Sequence, residues 1–293
     1  MARGVVAAVN ADLHREPRLS DAVFQRFQAV VRRESGIALT DAKKPLVESR
    51  LGRRLRELAL GFPAYCSLVE DDAEERDRML DSICTNETHF FREPRQFEFL
   101  EARVFPDWAA RAGAGTMPRR ARIWSAGCST GEEPFSVAMS VLSRFPVSSG
   151  WMIEVLATDL SRSALDRARA AVWPLERARE IPRAHLEAFM WKGMRSEAGR
   201  MKAGQEIRSV VRFDRLNLAG GRFPPGQFDA IFCRNVLIYF DGPTKVRVLE
   251  ALAACLDPLG YLFLGQAEAA MGLPSVLRSV GGSVYVHASR PRP

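Results

Sequence analysis

Apolar residues recur along this chain with two different periods, and the change of period divides it. From about residue 20 to Thr85 the spacing is helical: Phe24, Phe27, Val30 and Val31 share one face, and Val47, Leu51, Leu55 and Leu58 fall at i, i+4, i+8 and i+11 on another. That pattern predicts a small helix bundle. A further helix is predicted over residues 94–112, and the basic, Gly- and Pro-bearing stretch at 112–122 reads as an exposed loop.

Beyond it, short apolar runs alternate with helical spacings. Ile123 and Trp124 end a buried strand, and Phe135, Val137, Ala138, Val141 and Leu142 repeat as a helix. A second strand over residues 151–156 runs into Ala157, Thr158 and Asp159 and is followed by a helix at 161–171. A third occupies 210–218, and 228–240 supplies a fourth, nearly all apolar, of the kind buried inside a parallel sheet. Such a βα succession predicts an α/β fold, in which ligands sit outside the carboxyl ends of the strands.

The turn between the first strand and its helix, Ser125-Ala126-Gly127-Cys128-Ser129-Thr130-Gly131-Glu132-Glu133-Pro134, carries the chemistry. Gly127 and Gly131 permit a tight turn and close approach of a ligand, and Pro134 suits a first helical turn, where its missing N–H has no partner to lose. Glu132 and Glu133 would repel a phosphate at the positive helix end, so the loop favours a cation or a neutral sugar, as in a nucleoside cofactor. No G-x-x-x-x-G-K-[ST] sequence occurs, which argues against a P-loop. Asp159, ending the second strand, has the acceptors for a ribose diol; its alternative role is N-cap of the following helix. Asn217, closing the third strand, can face an adenine edge.

At this point the chain resembles the CheR-type chemotaxis receptor methyltransferases, S-adenosylmethionine-dependent enzymes that esterify glutamate side chains. The resemblance runs from about residue 20 to 290. It rests on Thr85-Asn86-Glu87-Thr88-His89-Phe90-Phe91-Arg92-Glu93, on residues 124–136, on Ala157-Thr158-Asp159 and on residues 228–241. It implies a class I, Rossmann-like methyltransferase domain with a mostly parallel seven-stranded sheet whose last strand is antiparallel, behind a small N-terminal helical domain. The implied domains are 16–85 and 86–293, with a small β-subdomain at about 189–208. Gly260–Gly265 and Ser283–Ala288 then read as the closing strands. Carried over to this sequence, the resemblance places Asn86, Thr88, Arg92, Gly127, Glu132, Asp159, Asn217, Leu218, Arg234 and Asn235 around S-adenosylmethionine, with Arg92 and Tyr239 beside the transferred methyl. Gly127-Cys128 departs from the alanines of many relatives, and Glu87 holds a variable position; neither removes a required polar group.

Composition fits. The chain has 293 residues, 47% of them hydrophobic, enough for an ordinary globular core and a smaller companion domain. The run Val5–Val9 is too short for a membrane span or an export signal, so a cytoplasmic protein without membrane insertion is expected. Five scattered cysteines form no C-x-x-C pair, which suits a reducing compartment. The four histidines, His14, His89, His185 and His287, are dispersed, and no metal site is expected.

Charge is segregated rather than uniform, although the net is +7. On the second helical stripe, Lys43, Arg50 and Arg54 fall on one flank and Arg53 and Arg56 on the far side, with Glu48 the sole acid between Lys43 and Arg56. This is either a solvated face or a docking surface, through Arg50, Arg53, Arg54 and Arg56, for acidic chemoreceptor helices bearing methylatable glutamates. An acidic run, Glu70 to Asp81, follows at once, and this segregation weakens a nucleic-acid reading based on net charge alone, because long phosphate tracks need a continuous basic surface. The segment 191–205, with Gly193, Gly199 and Gly204, is a long loop or an antiparallel flap. In the family this place carries a β-subdomain whose longer version docks a receptor C-terminal tail peptide, a second expected partner.

The chemistry implied is in-line attack of a glutamate oxygen on a sulfonium methyl, which yields a methyl ester and S-adenosylhomocysteine. A glutamate with a pKa near ~4.3 is already ionised at neutral pH, so no general base is required. Arg92 has a planar donor fork to orient the carboxylate, and Tyr239 can donate a hydrogen bond or wall the channel. Two alternatives differ in class. A nucleic-acid methyltransferase remains the enzymatic alternative because of the basic surface, although base amino-methylation is disfavoured by Cys233-Arg234-Asn235-Val236 standing where such enzymes carry Asn/Asp-Pro-Pro-aromatic, and cytosine-carbon methylation by the lack of a Pro-Cys dipeptide. A non-catalytic cofactor-binding regulator is disfavoured because every polar position is present.

Overall fold

The computed structural model describes residues 19–268 and 274–291. The Val5–Val9 run, His14 and residues 16–18 of the expected first domain lie outside them. The chain divides into two compact units between Thr85 and Asn86.

The first unit is all-helical: α1 (Asp21–Ser35), α2 (Lys44–Leu58), α3 (Phe62–Asp71) and α4 (Ala73–Ile83). Ser20 caps α1 by accepting from Val23 N, and Gly36 ends it in the left-handed region at φ 74°. Phe24, Phe27, Val30 and Val31 of α1 pack with Val47, Leu51 and Leu55 of α2 and with Phe62, Tyr65, Val69, Met79, Leu80 and Ile83. Leu58, the last residue of the predicted stripe, is only partly buried against them.

Among the described residues of this unit, one charged side chain is buried. Glu75 is 5% exposed and accepts a forked pair of bonds from Arg54 (Nε to Oε1 2.8 Å, Nη2 to Oε2 2.6 Å) and a third from Tyr65 Oη at 2.9 Å. The Arg54 hydrogen bonds hold the Glu75 carboxyl below its ordinary value near 4.5 against the opposing effect of burial.

The second unit opens with α5 (Pro94–Phe99), which passes through a π-turn (Leu100–Val104) into α6 (Phe105–Gly113). A single regular helix was expected over this stretch. The widened turn ends two residues before Pro106, which has no N–H to donate to a carbonyl four residues back. The strands are β1 (Arg120–Ala126), β2 (Met152–Asp159), β3 (Val172–Pro174), β4 (Met190–Lys192), β5 (Arg200–Ala203), β6 (Val211–Arg215), β7 (Phe228–Cys233), β8 (Leu256–Leu264), β9 (Leu277–Gly281) and β10 (Val284–His287). The remaining helices are α7 (Glu132–Arg144), α8 (Arg162–Ala170), α9 (Arg183–Phe189), α10 (Gln205–Val210) and α11 (Gly242–Cys255).

Seven strands form one sheet in the order β6-β2-β1-β7-β8-β10-β9. The first five are parallel, and the last strand of the chain, β10, is inserted antiparallel between β8 and β9. β3, β5 and β4 make a separate antiparallel sheet, so segment 191–205 is a flap rather than an open loop. Met201 and Ala203 of β5 join the main core with Trp173, Phe90, Trp108, Phe135, Phe232 and Phe263.

Arg54→Met should destabilise the helical unit at pH 7 by about 3 kcal/mol, since it strands a buried carboxylate. Glu75 titrates lower when folded than when unfolded, so its contribution is complete above about pH 4.5 and is lost as pH falls further. The deficit of the variant should therefore shrink in acid. Amide exchange of residues 19–83 in the full chain at pH 7 and at pH 4 reads both effects.

Candidate active site

The carboxyl ends of the parallel strands bring the predicted polar residues to one edge of the sheet. After β1 the chain turns sharply: the amides of Gly127 and Cys128 both donate to Thr158 O of β2 (2.8 and 2.9 Å), and Ser129 N donates to Asp159 Oδ2 at 2.8 Å. Gly127 has φ 87°, and a Cβ there would lie 2.3 Å from Val236 Cγ2. The departure from alanine at this position thus has a steric cause.

Asp159 does not cap α8. Ser161 does, accepting from Ala164 N at 3.1 Å, while Asp159 Oδ1 accepts from Ser161 N at 2.9 Å. The aspartate joins the two strand-end turns to one another.

The two acids opening α7 have different partners. Glu132, 1% exposed, accepts from Thr130 Oγ1 at 2.6 Å and pairs with Arg177 Nη1 at 3.1 Å. Burial pushes its carboxyl above the ordinary value, with Thr130 and Arg177 opposing that push and Glu180 adding to it. Glu133 accepts from Ser125 Oγ at 2.6 Å and faces Arg234 Nε at 3.4 Å; burial raises its carboxyl too, and Arg234 opposes.

These groups hold the Asn86–Arg92 segment in place. Arg177 Nη2 donates to Thr88 O at 2.6 Å, Glu180 Oε2 accepts from Phe90 N at 3.0 Å, Ser136 Oγ accepts from Phe91 N at 3.0 Å, and Ser129 Oγ donates to Asn86 O at 3.2 Å. The carbonyl of Arg92 accepts from Arg234 Nη2. Its half-buried guanidinium bonds to Glu87 O at 3.3 Å rather than pairing with Glu93 or Glu98. On the far side of the edge, Asn217 Oδ1 accepts from Ala219 N at 2.9 Å and Leu218 is buried.

The fourth strand is shorter than the sequence pattern suggested. β7 stops at Cys233, Asn235 takes the left-handed conformation at φ 59°, and Tyr239 sits half-buried in a 3-10 turn (Leu237–Tyr239) instead of on the strand. The cause is Glu268, 1% exposed, whose carboxylate accepts from the amides of Asn235, Val236, Leu237 and Gly265 at 2.6–2.9 Å. Arg234 has a side chain only 2% exposed, with its cation 5.9 Å from the Phe97 ring centroid.

Sequence reasoning missed Glu268, Arg177 and Glu180. Glu268 follows the end of a parallel strand, where the crevice rule points, and that signal was available. Arg177 and Glu180 lie in a charged run that reads as a solvated face, and nothing local marks them.

Of the predicted docking arginines, Arg54 is committed to Glu75 and Arg50 to Ile83 O and Thr85 Oγ1. Arg53 pairs with Glu57 at 2.9 Å with its side chain 86% exposed, and Arg56 is exposed.

A mostly parallel seven-stranded sheet with β10 antiparallel between β8 and β9, two acids opening the helix after β1 and an aspartate ending β2 define a class I S-adenosylmethionine-dependent methyltransferase. The family model of the CheR methyltransferase S-adenosylmethionine-binding domain matches residues 86–286, and that of the CheR methyltransferase all-alpha domain matches 22–84. The chain belongs to the CheR methyltransferase family. It is 39% identical over 264 residues to chemotaxis protein methyltransferase 2 of Pseudomonas aeruginosa, covering 89% of this chain and 91% of that protein. It is 36% identical over 272 residues to the chemotaxis protein methyltransferase of Escherichia coli, covering 91% of each. A probable chemotaxis protein methyltransferase of Rhizobium etli is 36% identical over 263 residues, 88% of this chain and 96% of that one.

The cofactor of the family is S-adenosylmethionine, and the edge fits it. Arg234 Nη1 and Asn235 Oδ1 are a buried donor and a buried acceptor with no hydrogen-bond partner among the described residues. An amino-acid moiety with its own carboxylate and ammonium supplies a partner of each kind.

Arg177→Leu should weaken S-adenosylhomocysteine binding severalfold and make it more pH-dependent. Without the guanidinium, the burial that already raises the Glu132 pKa has less to oppose it. The carboxylate then protonates at a higher pH than in the parent, so between pH 8 and pH 6 the variant should lose affinity more steeply than the parent. Calorimetry across that range is the measurement; a variant profile no steeper than the parent's contradicts the role of Arg177.

Proposed function

We propose that this chain transfers a methyl group from S-adenosylmethionine to glutamate side chains on the cytoplasmic helices of chemoreceptors, forming glutamate 5-methyl esters. Family membership and the names of the relatives support the substrate class. The observation that carries the chemical part is the state of Arg92. Its backbone is tied down through Phe91 N and its own carbonyl, whereas its guanidinium, with five N–H donors, makes one hydrogen bond among the described residues. A fixed backbone with donors to spare suits the reception of a carboxylate.

S-adenosylmethionine, when bound, supplies an electrophilic methyl on a sulfonium. The residues that would hold it are Asn86, Thr88, Arg92, Gly127, Glu132, Asp159, Asn217, Leu218, Arg234 and Asn235. The work left to the protein is orientation and exclusion of water, since the attacking carboxylate is ionised without a base. Arg92 orients that carboxylate through its fork, and Tyr239 lines the approach. Loss of the glutamate charge lowers like-charge repulsion on a receptor helix and shifts its signalling equilibrium.

Receptor docking falls to the basic side of α2. Of its four arginines, Arg53 is the one whose exposed pair with Glu57 contributes little and can be exchanged for a partner acid. Arg54 can contribute only the face that Glu75 leaves. Tail-peptide docking falls to the β3-β5-β4 sheet, where Trp191 and Met194 are 54% and 80% exposed. Deleting residues 192–204 is an unsuitable test of that role, because Met201 and Ala203 are core residues at 1% and 0% exposure.

Arg92→Ala should lower methyl transfer at least tenfold, read as base-labile methanol from receptor cytoplasmic fragments at saturating cofactor; near-normal turnover contradicts its role. Trp191→Ala combined with Met194→Ser should weaken binding to tailed receptors and spare methylation of untailed ones. Equal effects on both would reject the tethering role.

A further inference from the structure

We propose that Glu268 is a positioning residue for the cofactor: its carboxylate fixes the Arg234-Asn235 turn in the shape that presents both side chains to the site. The inference takes from the proposed function only that this turn meets the cofactor.

Three successive amides, Asn235, Val236 and Leu237, converge on Glu268 together with Gly265 N. Successive N–H groups around a left-handed residue form a concavity that attracts an anion, and here the chain provides that anion itself. With four donors directed at two oxygens, the group acts purely as an acceptor. The space is closed as well: a Cβ on Gly265 would lie 2.7 Å from Glu268 Oε2 and 2.9 Å from Asn235 N. Asn235 is held at φ 59°, where a non-glycine residue is uncommon, and that conformation turns the chain off the strand axis directly after β7.

Glutamine is nearly isosteric, but its NH2 group faces two of the four donors, so only half of the arrangement survives Glu268→Gln. Hydrogen bonds to an ionised acceptor are also about twice as strong as neutral ones. The expected result is a folded protein in which the amides of residues 235–237 exchange at least tenfold faster while those of Gly127 and Cys128 are unchanged. S-adenosylhomocysteine affinity should fall at least tenfold. The KM for S-adenosylmethionine should rise in step, with kcat within about threefold of the parent, a split that general loss of structure would not produce.

A folded Glu268→Gln protein with parental exchange and parental affinity overturns the proposal. If that variant does not fold, Glu268→Asp, which keeps the charge and shortens the reach, is read by the same measurements, and parental values again overturn it. Failure of the parent protein to bind S-adenosylhomocysteine would refute the proposed function instead; the exchange measurement, made without ligand, still decides whether Glu268 holds the turn.

Discussion

A carboxylate removed from water must find donors, and the site edge is organised by that requirement. Glu132, Glu133 and Glu268 are all withdrawn from solvent at the carboxyl ends of the strands, and each recruits what neutralises or solvates it. Arg177 comes to Glu132 and brings the Thr88 carbonyl with it; Arg234 comes to Glu133 and brings the Arg92 carbonyl. The segment from Asn86 to Arg92 has no regular structure of its own, and these second bonds of arginines whose first duty is to a buried acid hold it together with Glu180, Ser136 and Ser129.

The parts of this arrangement that were legible in the sequence are those with a local signature. The strands ending at Ala126 and Asp159 announce themselves by apolar runs that stop at small or polar residues, and the helical unit by a period sustained over four turns of α2. What the sequence concealed is set at long range. Val236 to Phe240 are apolar and read as more strand, yet the amides of Asn235, Val236 and Leu237 are claimed by Glu268, 31 to 33 residues further on. β9 was invisible because it buries only Leu277, leaving no alternation to detect. Arg177 and Glu180 sit three apart in a charged 3-10 stretch, which resembles an exposed pair until the fold delivers Glu132 and Phe90 to them.

The helical unit solves the same problem on a smaller scale. Glu75 is its buried acid, and Arg54 is drawn off the basic flank of α2 to serve it. Charge that a one-dimensional reading assigns to an external partner is thereby partly consumed internally. Of the four arginines of α2, Arg53 keeps its side chain open to solvent, at 86% exposed, while Arg54 is spent on Glu75.

The contact between Gly127 and Val236 links the loops that follow β1 and β7 at a point where no side-chain atom fits. Variation at the two positions is consequently not independent. A chain with alanine at the first must carry a smaller or differently turned residue at the second, or relax the positive φ that admits the approach. Transplanting either loop alone between related chains would import a collision, whereas exchanging the pair would preserve the fit.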